Sequence, residues 1–161
     1  MFFWFLGMSF AGVALVFRSP ALDFRLVMAG SVLPLAEVVL GGPKVLHTLV
    51  GSVAALAIVM GATRNRRLAR RRWISLPIGL FMSLTLSGAW ADTALFWWPF
   101  FGVAFPDTAL PELTHGVAAT LLLEALGVAA LVWCWVAFEL RVPANRGRFF
   151  RTGQLDRAVV A

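Results

Sequence analysis

The chain has 161 residues, of which 60% are hydrophobic and only 14% are charged, and its mean hydropathy is +0.84. An ordinary water-soluble domain is about half apolar and a quarter charged, so this composition excludes that class and indicates a membrane protein. The formal net charge of +6 does not by itself indicate a nucleic-acid partner, because the basic residues lie where membrane topology places them.

Five apolar stretches follow one another along the chain, and most approach the roughly 17–25 residues that a membrane-spanning helix needs. They are Met1–Phe17, Leu26–Leu40, Val45–Ala62, Ile74–Ala91 and Gly116–Phe138. The sequence therefore predicts an all-α, polytopic membrane helix bundle of about five transmembrane helices. Residues 1–140 form its single transmembrane domain, and residues 141–161 form a short basic cytoplasmic tail. We expect no regular structure in that polar tail.

The arginines set the expected orientation of the helices. With five crossings, all thirteen arginines fall on one side of the membrane and only Lys44 falls on the other. If Leu26–Leu40 were re-entrant, Arg18 and Arg25 would lie opposite the arginine-rich connection at residues 64–72. The positive-inside rule therefore predicts an outer N-terminus and a cytoplasmic C-terminus.

Six arginines crowd the connection between the third and fourth stretches, and each cation near an anionic membrane surface contributes about 1 kcal/mol. Contact with anionic lipid headgroups at the cytoplasmic face is one expectation, and a purely topological role is the alternative. A nucleic-acid partner is not expected, because Trp73 is the only nearby aromatic residue. The six residues are Arg64, Arg66, Arg67, Arg70, Arg71 and Arg72.

Two outer connections have distinct compositions. Gly41-Gly42-Pro43-Lys44 predicts a tight turn that makes a helical hairpin of the second and third stretches. The long segment Asp92–His115 contains the aromatic cluster Phe96–Phe101, which is typical of a membrane–water interface.

Polar side chains inside apolar stretches are the best functional lead, because an ionised group at the bilayer centre costs at least about 2.5–3.5 kcal/mol. The predicted hairpin brings Glu37 and His47 to one depth. This pair is a candidate catalytic or divalent-metal site, with Asp92 and His115 as further candidate ligands. The alternative is a hydrogen bond that joins two helices, with His115 facing water.

Glu124 lies well inside the last stretch and is the third candidate for a catalytic role. One interpretation is a proton or ion relay. The other is a neutral carboxylic acid that bonds to Ser83, Thr85 or Ser87 of the fourth stretch. A single cysteine, Cys134, excludes a disulfide within the chain.

Four short motifs occur in a recognisable order between Asp23 and Gly102. They are Gly30-Ser31-Val32-Leu33-Pro34-Leu35-Ala36-Glu37, His47-Thr48, Ser83-Leu84-Thr85-Leu86-Ser87 and Trp98-Pro99-Phe100-Phe101-Gly102. In this order the chain resembles the bacterial inner-membrane family of membrane-bound metal-dependent hydrolases. The chain departs from that family where Leu35, Ser83 and Ser87 replace its acidic and histidine positions. The resemblance implies a bacterial plasma-membrane scaffold that keeps Glu37 and His47 and has lost most of a hydrolytic metal site.

Three functions remain open from the sequence. The first is a non-enzymatic membrane protein that interacts with lipids or serves as a subunit of a membrane complex or homo-oligomer, with no cofactor. The second is a divergent metal-dependent hydrolase that uses Glu37 and His47. The third is a small channel or transporter subunit with Glu124 as its relay.

Overall fold

The computed structural model describes residues 1–39, 45–100, 102, 115–156 and 158, and over these residues the protein is all-helical. The predicted turn at residues 41–44 and most of the predicted interfacial segment lie outside the described residues. Short 3-10 turns occur at Val45–His47 and Ala89–Ala91. The α-helices are α1 (Phe2–Phe17), α2 (Phe24–Val39), α3 (Leu49–Ala62), α4 (Arg67–Trp73), α5 (Ser75–Ser87), α6 (Thr93–Phe96), α7 (Val117–Ala137) and α8 (Pro143–Thr152).

Local side-chain chemistry explains where several helices begin and end. Asp23 precedes α2 and accepts a hydrogen bond from the backbone N–H of Arg25, and Thr48 accepts one from Gly51 at the start of α3. Both are the short polar residues that cap helix N-termini. Gly88 adopts a left-handed conformation (φ 75°) and ends α5 before the end of its predicted stretch.

Contacts between the long helices give their directions. Ser9 donates a hydrogen bond to Ser31 at 3.0 Å and the rings of Phe10 and Phe24 lie 5.3 Å apart, so α1 and α2 are antiparallel. Gly127 approaches the backbone of Phe3 while Phe138 lies beside Phe10, so α1 and α7 are parallel.

Helices α2 and α5 are also parallel, because Asp23 contacts Ser75 at their starts and Val27 contacts Gly79 one turn further on. A Cβ at Gly79 would overlap the carbonyl oxygen of Val27, and one at Gly30 would overlap that of Leu76. Small residues thus allow the two backbones to touch, as is common between membrane helices.

The main apolar core lies at the end of the bundle where α1 and α7 end and α2 begins. The ring of Phe10 is surrounded by those of Phe24, Phe138 and Phe149, with centroids 5.3 to 5.6 Å away. Phe149 belongs to the chain beyond residue 140, where no regular structure was expected. That expectation was wrong: α8 forms there, and its buried Phe149 together with Leu155 joins the core.

Helix α7 is the one described helix that is both long and apolar enough to cross a membrane, and α1 and α3 are shorter apolar helices. Only 11% of the most apolar window of α7 is buried. A core helix of a water-soluble protein would be mostly buried, whereas α7 exposes large apolar side chains such as Val117, Leu121, Leu122 and Val132. Such an apolar face indicates contact with a membrane or with another protein.

Candidate functional site

The predicted pair of Glu37 and His47 meets near the ends of α2 and the 3-10 turn at Val45–His47. The Nδ1 atom of His47 lies 3.4 Å from Oε2 of Glu37, and His47 is 1% exposed. The Glu37 oxygens also accept hydrogen bonds of 2.9 Å from the backbone N–H groups of Val45 and Leu46. Glu37 near the end of α2 therefore caps the 3-10 turn that begins at Val45.

The other two candidate metal ligands belong to different local structures. Asp92 caps α6 by accepting hydrogen bonds from the N–H groups of Ala94 and Leu95. His115 precedes α7 and is exposed. Among the described residues, no three His, Cys, Asp or Glu side chains come close enough to hold a metal ion together. The pair of Glu37 and His47 supplies two donors, whereas catalytic zinc sites usually have three from the protein.

Glu124 has different partners from those expected. Its carboxylate accepts hydrogen bonds of 2.6 and 2.7 Å from the N–H groups of Phe2 and Phe3, and it lies 3.0 Å from the amino group of Met1. The expected bond to the fourth stretch is absent from the described contacts, since Thr85 donates to Phe81 and Ser87 to Leu84. The reason is the parallel packing of α1 against α7, which brings the start of α1 to Glu124.

The richest polar cluster lies at the opposite end of the bundle, around Asp23. This carboxylate is 2% exposed and receives the guanidinium groups of Arg25 and Arg72, with Arg25 Nη2 at 3.1 Å and Arg72 Nε at 3.0 Å. The backbone N–H of Asp23 donates to the hydroxyl of Ser75 at 3.0 Å. Asp23 therefore ties the start of α2 to both α4 and α5.

The tail packs against the Asp23 carboxylate. The N–H of Phe24 donates to the carbonyl of Gly153 at 2.8 Å, and Nη1 of Arg25 donates to the carbonyl of Phe150 at 2.6 Å. Gly153 ends α8 with a positive φ of 73°, and a Cβ there would overlap the Asp23 carboxylate. Only glycine fits both the backbone conformation and the space.

Between α4, the α1–α2 connection and α8 lies an arginine cleft. It consists of two adjoining hollows of about 300 and 510 Å³ that share Ala21, Arg71 and Gln154. Small-molecule sites typically fall between about 300 and 1,000 Å³. The arginines that line the cleft are Arg71 and Arg72 from α4 and Arg148 and Arg151 from α8.

The charge of the cleft is only partly balanced. Asp23 compensates Arg72, and Asp156 pairs with Arg148. The backbone N–H of Ala158 and the Arg148 guanidinium together hold the pKa of Asp156 below its ordinary value. No ion pair joins Arg71 or Arg151 to an acidic side chain in the described part of the chain. The cleft is therefore electropositive and suits an anion.

Sequence reasoning identified some of these residues and missed others. Of the six expected headgroup residues, Arg71 and Arg72 line the cleft, while Arg64 and Arg66 precede α4. Asp23, Arg148 and Arg151 were not singled out. A usable signal existed for Asp23, which lies between Arg18 and Arg25 at a helix start.

Comparison of the chain with protein-family models, with curated proteins and with solved structures found no match.

Proposed function

We propose that the protein is a multi-pass integral membrane protein of five spans whose arginine-rich end lies in the cytoplasm and binds anionic lipid headgroups. The proposal is supported chiefly by the alternating directions of the five longer described helices. Helices α1 and α7 point toward the end that holds Asp23, and α2 and α5 start there. Helix α3 begins next to His47, which contacts Glu37 near the end of α2, and leads to α4, where Arg72 contacts Asp23, so α3 also points toward that end. The described arginines follow or precede these helices at that same end, as the positive-inside rule requires of five crossings.

The exposed surface supports a lipid environment. Helix α7 has 21 residues, which corresponds to about 31 Å and matches the hydrocarbon thickness of about 30 Å. Helices α1 and α2 have 16 residues each, or about 24 Å. Shorter helices are accommodated when the bilayer thins locally or when flanking side chains extend to the interface, at a modest cost per Å.

The arginines supply the lipid contact. Arg64 and Arg66 are exposed before α4, Arg67 and Arg71 are exposed on it, and Arg146, Arg148 and Arg151 are exposed on α8. Each basic side chain near an anionic leaflet contributes about 1 kcal/mol. This function needs no cofactor and no catalytic group, and it makes the protein a lipid-interacting component of the cell membrane.

Lipid enrichment tests the proposal. The protein is reconstituted into nanodiscs of equal phosphatidylcholine and phosphatidylglycerol, and the lipids retained after gentle release are counted by native mass spectrometry. We expect phosphatidylglycerol to be enriched around the parent protein, and less so after all six arginines at residues 64–72 are changed to Gln. Retained lipids at the bulk ratio for both proteins would contradict the proposal.

A second candidate function is the divergent metal-dependent hydrolase, which the 3.4 Å approach of His47 to Glu37 favours. Metal analysis separates it from the first. A retained stoichiometric metal after loading with zinc, manganese or iron, lost in His47→Ala, would support the hydrolase. Less than about 0.1 metal per chain would exclude it, because an intact site holds its ion.

The relay function of Glu124 has less support, because its carboxylate already receives the two N–H groups at the start of α1. Equal proton flux into proteoliposomes that contain the parent protein or Glu124→Gln would exclude a relay role for Glu124.

A further inference from the structure

We propose that the arginine cleft is a discrete site for one phosphate group, held between Arg71 of α4 and Arg151 of α8. The inference rests on the proposed function and deepens it, because it replaces a diffuse basic surface by a single site of defined chemistry. The shared ligand chemistry is a phosphate oxyanion, either as a lipid headgroup or as a free phosphate.

The cleft carries positive charge that is only partly balanced. Arg72 is held by Asp23 and Arg148 by Asp156, whereas Arg71 and Arg151 make no ion pair within the described residues. Both residues line the same hollow, and their guanidinium groups offer several N–H donors there. Phosphate accepts paired N–H bonds from guanidinium with good geometry, and such charged bonds are stronger than neutral ones.

Packed helices fix both walls of the cleft. Leu68 and Arg71 are three residues apart on α4, and Arg148 and Arg151 are three apart on α8, so each pair shares one helix face. The wall from α8 is fixed by buried Phe149 and by the bond from Phe24 N–H to the Gly153 carbonyl. The wall from α4 is fixed by the contact of Arg72 with buried Asp23.

The position of the cleft also suits a phosphate ligand. The cleft opens at the arginine-rich end, beside Ser19 and Pro20 of the α1–α2 connection. In the proposed topology this level is that of the cytoplasmic headgroups, so a lipid phosphate reaches the cleft laterally and a soluble phosphate reaches it from water. Binding would link α4 to α8 across the cleft and protect the tail.

The test compares two double variants of equal charge. Arg71→Gln/Arg151→Gln removes the uncompensated cations of the cleft, whereas Arg18→Gln/Arg141→Gln removes two exposed arginines that do not line it. Within the described residues, neither Arg71 nor Arg151 has an ion-pair partner to lose, so the cleft variant should fold, and its thermal midpoint in detergent checks this. Each protein is reconstituted into phosphatidylcholine nanodiscs and titrated with phosphatidic acid, and separately with inorganic phosphate.

We expect the parent to bind one equivalent saturably and the cleft variant to bind at least tenfold more weakly, while the control stays within twofold of the parent. Displacement of phosphatidic acid by inorganic phosphate identifies a free-phosphate site, and resistance to displacement identifies a lipid headgroup site. Equal weakening by both variants, or no saturable binding, would overturn the inference. If phosphatidylglycerol enrichment persists in that case, the proposed function survives without the discrete site.

Discussion

The two ends of the bundle use their carboxylates in different ways. At the arginine-rich end, Asp23 and Asp156 balance guanidinium groups. At the opposite end, Glu37 and Glu124 accept hydrogen bonds from the first backbone N–H groups of a 3-10 turn and of α1. One end thus assembles charged side chains from distant segments, and at the other end carboxylates accept hydrogen bonds from the N–H groups at helix starts.

The difference has a physical origin. A helix start leaves N–H groups without intrahelical partners and carries partial positive charge, so a carboxylate there is stabilised without any basic side chain. At the arginine-rich end, many cations lie close together and repel one another unless an acid intervenes.

Asp23→Asn tests the charge role of the buried carboxylate. Asparagine keeps the size and the capping oxygen, yet it removes the counter-charge of Arg25 and Arg72. Because both guanidinium groups are partly exposed and remain partly hydrated, we expect a loss of about 2–3 kcal/mol of unfolding free energy. Unfolding in mixed micelles measures it, and a loss below about 0.5 kcal/mol would show that charge pairing is unimportant here.

Gly153→Ala tests whether the tail must close on Asp23. The added Cβ meets the carboxylate, and the positive φ is unfavourable for alanine, so we expect a loss of about 2 kcal/mol and faster proteolysis after residue 140. Gly147→Ala is the matched control, because it lies inside α8 with open space around it and should be neutral or stabilising by about 0.5–1 kcal/mol. Similar proteolysis of both variants would refute the closure.

Glu37→Gln tests the capping role at the other end. A glutamine side chain offers one acceptor oxygen, so one of the Val45 and Leu46 N–H groups loses its partner. We expect a loss of about 1–2 kcal/mol that depends less on salt than the loss for Asp23→Asn, because the bonds removed come from backbone N–H groups and not from guanidinium groups. Asp23→Asn provides the contrast in the same salt series, and an equally salt-sensitive loss for Glu37→Gln would break the distinction between the two ends.

Asp156→Asn tests the outermost pair of the tail and should have the smallest effect, because both partners are partly exposed. The pKa of Asp156 is lowered in the folded protein, so its contribution is present above the ordinary aspartate pKa and is lost as pH falls through the lowered value. Proteolytic protection of the tail should therefore decline in acid for the parent. Asp156→Asn should lack this acid-dependent loss of protection. An identical pH profile for the parent and the variant would argue against the pairing of Asp156 with Arg148.

The sequence predicted which segments form the apolar helices more accurately than the residues at which those helices begin and end. Hydrophobic stretches identified all five of the longer helices in the described part of the chain, and the all-α class is confirmed there. The shortened α5 depended on the left-handed conformation of Gly88, which composition alone does not reveal. Helix α8 was missed because its sequence is polar and basic. It is stabilised by the burial of Phe149 against distant Phe10, a contact that no local pattern encodes.

At the candidate sites, contacts between residues close in sequence were predictable and contacts between distant segments were not. The approach of Glu37 to His47 was expected because only a short connection separates them. The partners of Glu124 were not expected, since they depend on how α1 packs against α7 across more than 100 residues of sequence. The cleft lies between α4 and α8, which are far apart in sequence, so spacing along the chain does not show that Arg71 and Arg151 line the same hollow.

In the proposed topology, all arginine-rich segments lie on one side of the membrane and the segment before α7 lies on the other. Single cysteines at Ser19, Asn65, Arg146 and Ala94, in a Cys134→Ala background, test it with a membrane-impermeant maleimide on intact cells. We predict immediate labelling at position 94 only, and labelling at positions 19, 65 and 146 only after permeabilisation. Labelling of positions 19 and 65 from opposite sides would contradict the five-span topology and the cleft together.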